Sequence, residues 1–282
     1  MILVTGATGK VGAEVVRQLA AAGRPVRAMV RSPLKATQVP PRTQVVVGGL
    51  DDAAALERAC AGVEGVFMGS FEHPQLLAMQ AGLIAAARKA GVKRIARLSA
   101  LSSDPESERP FDRMHGLGDR QVLESGLGGV ALKPTWFNQN FLTYFPKGVL
   151  RMATGEGRIA FIDVRDIAAV AIAVLGGPGF EGQAIPLTGP QALNHDQVAA
   201  MLTRETGRLF TYEDLSPAAF EAEQRKAGTD PAYIALLLGL FERIRAGESA
   251  RVTKDVERVL GRPAIHFAQF CRDYKDALVK QL

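Results

Sequence analysis

Short apolar runs alternate with segments of helical periodicity through the first half of the 282-residue chain. The runs predict strands over 1–5, 26–30, 44–48, 65–68, 94–98 and 129–133. Apolar residues at helical spacing predict helices over 10–22, 52–61, 75–90 and 113–125. This alternation is typical of right-handed crossovers, so we predict an α/β fold with a doubly wound parallel sheet.

The second half of the chain has a different rhythm. Its patterns predict, in chain order, a helix over 163–175 with Asp163 as N-cap, a strand and turn over 183–190, a helix over 194–207 begun by Asn194, a short strand in "RLFTYEDL", and largely helical stretches over 217–246 and 253–280. We therefore predict that residues 151–282 are a mixed segment, which completes the sheet and forms a small C-terminal α/β lobe for the substrate.

The stretch "VTGATGKVG" lies between the first predicted strand and the first predicted helix, with glycines at Gly6, Gly9 and Gly12. Gly6 permits the tight turn, Gly9 lets the backbone approach a pyrophosphate, and Gly12 lets the helix pack on the strand. Amides at the helix N-terminus then face the phosphates. A glycine-rich turn without a ligand is the alternative, which the complete strand–turn–helix context disfavours. We predict a Rossmann-type NAD(P)-binding domain over residues 1–150.

The second predicted strand ends in "MVRSPLK", at the place where NAD-binding proteins typically carry an Asp or Glu for the ribose hydroxyls. Arg31 occupies that position, with Ser32 and Lys35 close behind. A guanidinium can bind a 2′-phosphate bidentately, and no carboxylate is present to repel it. The alternative is a solvated surface arginine, but the position favours NADP(H) as the cofactor.

Residues after the next two strands are further candidates, because parallel strands end at one edge of the sheet. Leu50 and Asp51 are expected near adenine, although Asp51 could equally be a helix N-cap. Gly69, Ser70 and Phe71 are expected along the ribose and nicotinamide side.

A serine after the fifth strand, Ser99 in "RLSALSS" with Ser102 or Ser103 behind it, is where short-chain dehydrogenases place a hydroxyl that orients the substrate carbonyl. Their Tyr-x-x-x-Lys pair is missing, since none of the four tyrosines has a lysine four residues later. His115 stands roughly where the tyrosine would be, and Asp119 follows one helical turn on. Either these two are a functional pair, in which Asp119 keeps the imidazole oriented and partly charged, or they are an ordinary surface pair. As a functional pair, His115 and Ser99 are the catalytic candidates, and His115 also positions the substrate.

The stretches "MILVTGATGKVG", "RLSALSS", "LKPTWFNQNF", "FIDVRDIAAVA" and "LTGPQALNHDQVA" extend over nearly the whole chain. Together they resemble atypical short-chain dehydrogenases/reductases of the NmrA-like group, and most of all its triphenylmethane reductase and quinone oxidoreductase branch. The resemblance implies an NADP-dependent fold and reduction of quinones, dyes or other flat, conjugated acceptors. Two residues depart from the family pattern: Gly49, where such sequences often show Asp, and Asp119, where relatives often have Glu.

The resemblance also implies roles for individual residues. They are Thr8, Gly9, Lys10 and Val11 around the pyrophosphate, Arg31 at the 2′-phosphate, Ser70 and Phe71 beside the ribose, Lys133, Pro134 and Thr135 at the nicotinamide carboxamide, and Trp136, Phe137 and Asn140 in the substrate wall. Aromatic rings at Phe71, Trp136, Phe141 and Tyr144 would suit a planar acceptor. For Phe137 and Phe141, packing in the core is an equal alternative.

These observations predict an NADPH-dependent reductase that transfers a hydride to a conjugated, quinone-, dye- or polyketide-like molecule. The reduced nicotinamide carries the chemistry, and delocalised charge in the acceptor lessens the need for a strong acid. The alternative is an NADP-binding redox-sensing regulator with little or no turnover, which the missing tyrosine–lysine pair favours slightly. The compact length and the polar residues after the strands favour the enzyme, and the absent tyrosine argues against an epimerase.

Composition narrows the partners further. The net charge is +5, with a sequence pI of about 9.4. Because the basic residues are scattered along the chain, we do not expect it to bind nucleic acid. We attribute the small excess of positive charge to binding of a polyanionic cofactor. Cys60 and Cys271 lie far apart without metal-ligand spacing, which predicts buried thiols and no metal site. We see no signal segment and no run of 18 apolar residues, so we expect a cytoplasmic protein off the membrane. A homodimer is left open.

Overall fold

The computed structural model describes residues 1–69 and 73–282. Its strands are β1 (Ile2–Val4), β2 (Val26–Val30), β3 (Gln44–Val47), β4 (Gly65–Met68), β5 (Arg94–Leu98), β6 (Gly129–Pro134), β7 (Val149–Met152), β8 (Ala184–Leu187) and β9 (Thr211–Asp214). Its α-helices are α1 (Lys10–Ala21), α2 (Pro33–Ala36), α3 (Ala53–Cys60), α4 (Leu76–Lys89), α5 (Pro110–Leu123), α6 (Val164–Gly176), α7 (His195–Thr206), α8 (Pro217–Lys226), α9 (Pro231–Arg245), α10 (Asp255–Leu260), α11 (Phe267–Asp273) and α12 (Lys275–Val279). Short 3₁₀ helices occupy Asn138–Leu142 and Pro146–Gly148.

The chain folds into two compact units and passes from one to the other more than once. The first unit comprises Met1–Pro134, Val164–Leu187 and Asp255–Arg262. The second comprises Thr135–Asp163, Thr188–Lys254 and Pro263–Leu282. The segment 151–282 therefore contributes residues to both units.

The first unit is built on a seven-stranded parallel sheet in the order β3-β2-β1-β4-β5-β6-β8. β1 lies between β2 and β4, where Val4 pairs with Ala28 on one side and Phe67 on the other. The chain winds outward in both directions from β1, so the strand order reverses between β1 and β4. Open α/β sheets bind ligands at this switch point, beyond the carboxyl ends of the strands. The Rossmann-type fold predicted from the sequence is confirmed.

The central strands form a continuous buried core. Leu3, Val66 and Ile95 from three of them are shielded from solvent and pack in one cluster with Leu56 of α3 and Leu83 of α4. Parallel strands covered on both faces have near-continuous apolar sequences, which is why these strands could be recognised from their residues. β3 differs because it is the outermost strand, and its Val45 and Val47 are exposed although their run is apolar.

The second unit has an aromatic core and a two-stranded parallel sheet of β7 and β9. Its core rings include Phe141, Phe145, Phe161, Phe267 and Phe270. Helix α7 starts at a capping box, in which the Asn194 side chain accepts from the Gln197 amide and the Gln197 side chain accepts from the Asn194 amide. Within residues 1–69 and 73–282, no helix has the length and apolar character needed to cross a membrane.

Candidate functional site

The glycine loop joins β1 to α1 at the switch point of the sheet. Gly6 has a left-handed backbone (φ 63°), a conformation that favours glycine, and its carbonyl accepts a 2.9 Å hydrogen bond from the Gly9 amide. A Cβ added at Gly12 would lie 2.2 Å from the Gly6 carbonyl oxygen. Helix α1 thus packs against the turn more closely than any side chain at position 12 allows, in agreement with the roles predicted for both glycines.

The N-terminus of α1 suits an anion. Its N-cap, Gly9, is exposed and has no side chain to bind the first amides, and the first turn contains no acidic residue. Amides and the helix dipole favour negative charge at such an end. Lys10 stands at the first helical position, where partial burial lowers the pKa of its ammonium. Thr8 is half-buried just before the helix, while Val11 faces the core. These features fit a dinucleotide pyrophosphate.

The loops after β1 and β4 touch each other through backbone. The Gly69 amide donates to the Thr5 hydroxyl at 3.0 Å, and a Cβ at Gly69 would lie 2.7 Å from the Thr5 carbonyl oxygen. Only glycine therefore fits at position 69. The absence of a side chain there allows the loop after β4 to lie directly against the glycine loop. Ser70 and Phe71, the predicted ribose contacts, lie outside the described residues.

The residues predicted to bind the 2′-phosphate follow the carboxyl end of β2. Arg31 follows the strand directly and is exposed. Ser32 is the N-cap of α2, but its hydroxyl makes no capping hydrogen bond, and Lys35 lies in the last turn of that short helix. Three polar residues, two of them cationic, thus follow the end of the strand next to β1 within five positions. This set fits a 2′-phosphate.

The adenine side differs from the prediction in one respect. Asp52, and not Asp51, is the N-cap of α3, because its Oδ1 accepts from the Ala55 amide at 2.9 Å. Asp51 is exposed and folds back over Gly49, where a Cβ would lie 2.1 Å from the Asp51 Oδ1. Leu50 is half-buried against the core of the first unit. The helix begins at residue 53, one residue later than the apolar pattern suggests, so its N-cap is Asp52 and not Asp51.

A buried polar network lies at the carboxyl end of β5. Arg97, whose side chain is fully buried, donates from Nη1 to Asp119 Oδ1 at 2.6 Å and from Nε to Gln80 Oε1 at 3.2 Å. The other carboxylate oxygen, Asp119 Oδ2, accepts from Ser99 Oγ at 2.7 Å and from Ser103 Oγ at 2.6 Å. Burial lowers the pKa of Arg97, and the Asp119 carboxylate opposes that shift. Removing one partner of such a buried pair typically costs about 3–5 kcal/mol.

Two glycines on α5 make room for this network. A Cβ at Gly118 would lie 2.5 Å from Arg97 Nη2, and a Cβ at Gly116 would lie 2.1 Å from the Pro105 backbone nitrogen. The guanidinium therefore rests against the backbone of α5 at Gly118, and the loop after Ser103 crosses the same helix two residues earlier, at Gly116.

His115 directly precedes Gly116 on α5 and is buried. Its Nδ1 is 3.5 Å from Arg97 Nη2, and its ring centroid is 4.6 Å from that of Phe111. Burial, with the Arg97 charge as a second cause, lowers the pKa of His115 to about 3. A guanidinium has no acceptor, so Nδ1 accepts and the proton resides on Nε2.

The expectation that Asp119 orients His115 and keeps it partly charged is wrong. Both Asp119 oxygens bind Arg97 and the two serines instead, and the imidazole is neutral at physiological pH. Nor are the two residues a surface pair, because each is about 6% exposed. Arg97 was not among the predicted site residues. A charged residue within the otherwise apolar "IARL" of a central strand does, however, indicate a buried charge that needs a partner.

The end of β6 is tied to the same loop. Lys133 is half-buried and its Nζ donates to the Ser103 carbonyl at 2.8 Å. Pro134 ends the strand, and its carbonyl accepts from the Leu101 amide at 2.8 Å. Thr135, the next residue, is buried and opens the second unit.

Four of the candidate substrate residues belong to the second unit. Trp136, Phe137, Asn140 and Tyr144 are all half-buried. Trp136 stacks on Phe241 of α9 with ring centroids 6.4 Å apart. Burial raises the pKa of the Tyr144 hydroxyl to about 12, with Tyr233 as a smaller cause. Of the two alternatives for Phe141, the core holds: the ring is 1% exposed among other aromatic rings.

Cysteines and possible metal ligands add nothing to the site. Cys60 and Cys271 are buried, and burial raises the pKa of each thiol, to about 11 and about 12. Among the described residues, no group of three or more His, Cys, Asp or Glu side chains is arranged to hold a metal ion.

Comparison with known proteins gives the family. Residues 6–178 match the model of an NAD(P)H-binding family. An NAD(P)H azoreductase from Xenophilus azovorans is 37% identical, over 98% of this chain and 99% of the relative.

Solved structures agree with this match. An NADPH-dependent quinone oxidoreductase from Escherichia coli, crystallised with NADPH, is 31% identical, with a TM-score of 0.83 over 97% of this chain and 99% of that one. Triphenylmethane reductase from Citrobacter sp., complexed with NADP(H), shares the fold at 23% identity, with a TM-score of 0.84 over 98% of this chain and 100% of that one. The chain belongs to the NAD(P)H-binding family and is an NAD(P)H-dependent oxidoreductase, with NADP(H) as its cofactor.

Proposed function

We propose that this reductase transfers a hydride from NADPH to a conjugated small molecule, quinone-, dye- or polyketide-like, without a Tyr-x-x-x-Lys pair. The observation that carries the proposal is the neutral, buried His115 on the helix where the tyrosine would stand. A neutral imidazole donates a hydrogen bond but is a weak acid near pH 7. That suffices for an acceptor whose conjugated system spreads the incoming negative charge, whereas an isolated ketone needs a stronger acid.

The nicotinamide of the cofactor supplies the hydride, and the protein holds and orients it. We assign the pyrophosphate to Thr8, Gly9, Lys10 and Val11 in the loop shaped by Gly6 and Gly12, the 2′-phosphate to Arg31, Ser32 and Lys35, the adenine to Leu50 and Asp51, the ribose to Gly69, Ser70 and Phe71, and the nicotinamide side to Ser99, Lys133, Pro134 and Thr135. The uncapped N-terminus of α1 and the two cations after β2 support the phosphate assignments.

We assign the acceptor to Phe71, Trp136, Phe137, Asn140 and Tyr144, with His115 as its hydrogen-bond donor. Supporting this, the four of these side chains in the second unit are half-buried, as contact surfaces for a ligand are, while neighbouring Phe141 is sealed in the core. The names of the relatives point the same way, because azo compounds and quinones are both flat and conjugated.

The direct test is NADPH oxidation by the purified protein with a panel of quinones, an azo dye and a cationic triphenylmethane dye. We expect turnover with at least one of these and none with cyclohexanone, a matched acceptor without conjugation. Tight NADPH binding without turnover on any acceptor would contradict the proposal and favour a redox-sensing regulator.

His115→Ala separates two roles for the imidazole. As a neutral hydrogen-bond donor, its loss should lower kcat/KM for a quinone about tenfold, since one hydrogen bond contributes on the order of 1.4 kcal/mol. A cationic dye should be nearly unaffected, because hydride transfer to a cation needs no donor. A fall in kcat of roughly 100-fold would instead indicate a general acid. Wild-type parameters on both acceptors would exclude either role.

A further inference from the structure

Arg97 carries a charge inside β5 with none of its side chain exposed. Its three nitrogens face three different partners: Nε faces Gln80, Nη1 faces Asp119, and Nη2 faces His115. Every nitrogen of a guanidinium is a donor, and none can accept. Each partner must therefore turn an acceptor toward Arg97, and for His115 that acceptor is Nδ1.

The same constraint passes through Asp119 to the serines. With Oδ1 bound to Arg97, Oδ2 accepts from both the Ser99 and the Ser103 hydroxyl at 2.6–2.7 Å. A hydroxyl has one proton, so a serine that donates to Asp119 can only accept from any other partner.

We infer that Arg97 is a positioning residue that sets the hydrogen-bond polarity of this site, making His115 a donor through Nε2 and Ser99 an acceptor. This inference rests on the proposed function. Ser99 then suits an N–H or O–H donor such as a carboxamide amine or a ribose hydroxyl of the cofactor. Because Ser99 cannot donate to the substrate carbonyl, His115 takes the role of orienting that carbonyl, which the sequence had suggested for Ser99.

Other charged groups near His115 are occupied elsewhere within the described chain. On α5, Asp119 is held by Arg97 and the serines, and Asp112 accepts from Ser102 Oγ at 2.6 Å. From β6, Lys133 Nζ donates to the Ser103 carbonyl, and α4 contributes the uncharged Gln80. Arg97 is thus the charged group that contacts the imidazole directly.

The test is the tautomer and titration of His115, read from ¹H–¹⁵N long-range NMR spectra, which need no turnover. In the wild type we expect the Nε2–H tautomer and no protonation between pH 5 and 8. Arg97→Met should move the protonation of His115 to a higher pH than in the wild type, because the cation is gone and the Asp119 carboxylate is released, while burial still opposes the charged ring. Arg97→Met should also raise the Kd for NADPH by tenfold or more, because Asp119 is no longer anchored through Oδ1 and no longer fixes the Ser99 hydroxyl in place.

Two further variants separate positioning from folding. Arg262→Met is a matched control, because Arg262 Nη1 lies 2.8 Å from the fully buried Asp166 in the same unit. It should lower stability without moving His115 or the NADPH Kd. Arg97→Lys keeps the charge but has one nitrogen, so His115 should stay unprotonated above pH 5 yet populate both tautomers.

Wild-type His115 signals in Arg97→Lys would overturn the inference, even if Arg97→Met does not fold. So would equal effects of Arg97→Met and Arg262→Met on His115. Loss of turnover on all acceptors with these NMR results intact would instead count against the proposed function alone.

Discussion

Single residues matter here chiefly through a charge or through the lack of a side chain. Arg97 is tolerated in a central strand because Gly118 leaves space for its guanidinium and Asp119 neutralises it. Gly9 and Gly12 belong to one motif yet face different constraints. Gly12 is closed in by backbone, whereas Gly9 is exposed and has an extended backbone that any residue adopts.

Gly9→Val should abolish NADPH binding while folding survives. A Cβ at Gly9 would meet the Gly6 carbonyl oxygen at 3.3 Å, which a small shift relieves, but the branched side chain would stand in the assigned pyrophosphate space. Fluorescence titration with NADPH and circular dichroism measure the two properties. Unchanged NADPH affinity in the folded variant would show that the phosphates lie elsewhere.

Arg31→Ala should weaken NADPH binding tenfold or more and leave NADH binding unchanged. Losing a charge-assisted bidentate contact costs on the order of 1.5–3 kcal/mol, and NADH has no phosphate to lose. Titrations with both cofactors check this, with Arg58→Ala on α3 as an exposed-arginine control. If the wild type binds NADPH and NADH equally, Arg31 does not select the cofactor.

At the scale of elements, helix α1 links the fold to the candidate site. Its buried face includes Val15 and Leu19, while its N-terminus presents amides to the switch point. The orientation of those amides depends on how closely the helix meets the Gly6 turn. Packing and binding are therefore coupled through one contact.

Gly12→Ala should destabilise the protein and weaken NADPH binding together. The new Cβ would lie 2.2 Å from the Gly6 carbonyl oxygen, so the turn or the helix must move, and such overpacking costs about 1–3 kcal/mol. Urea unfolding and NADPH titration measure both effects. Gly177→Ala is the matched control, because a Cβ there meets nothing within 4 Å. Equal stabilities of the two variants would contradict the close approach.

At the scale of the whole molecule, two buried histidines make stability depend on pH. Burial lowers the pKa of His115 to about 3 and that of His195, which lies 2.7 Å from Thr154 Oγ1, to about 4. The unfolded chain binds protons at these residues below about pH 6.5, whereas the folded protein does not until much lower pH. Acid therefore favours unfolding.

We expect the free energy of unfolding to fall as pH decreases from about 6.5 toward 4, with each histidine adding about 1.4 kcal/mol per pH unit to the slope. Urea titrations across this range should show it. His115→Gln and His195→Gln should each flatten the slope, while His266→Gln, at an exposed N-cap, should not. A slope unchanged in both buried-site variants would place the acid sensitivity elsewhere.

Much of this architecture could be predicted because its causes are local. The buried parallel strands have continuous apolar sequences. The start of α7 is marked by Asn194 at the N-cap, and Gln197 completes its capping box. Two 3₁₀ helices between 134 and 163 were not predicted, since each is at most five residues long and too short for a periodic pattern. β7, in the same segment, was not predicted either, although other strands of four residues were. The cap of α3 shifted from Asp51 to Asp52 because adjacent acids give the same local signal.

The sequence by itself determined the order of the strands and helices, the glycine turn and the cation after β2, because each depends on neighbours along the chain. Only the tertiary structure decided what β5 and α5 do together. Arg97 and Asp119 are 22 residues apart, and their 2.6 Å contact replaces the His115–Asp119 pair that helical spacing suggests. Desolvation and pairing depend on what surrounds a group in space, so the neutral state of His115 could not be read from its place in the chain.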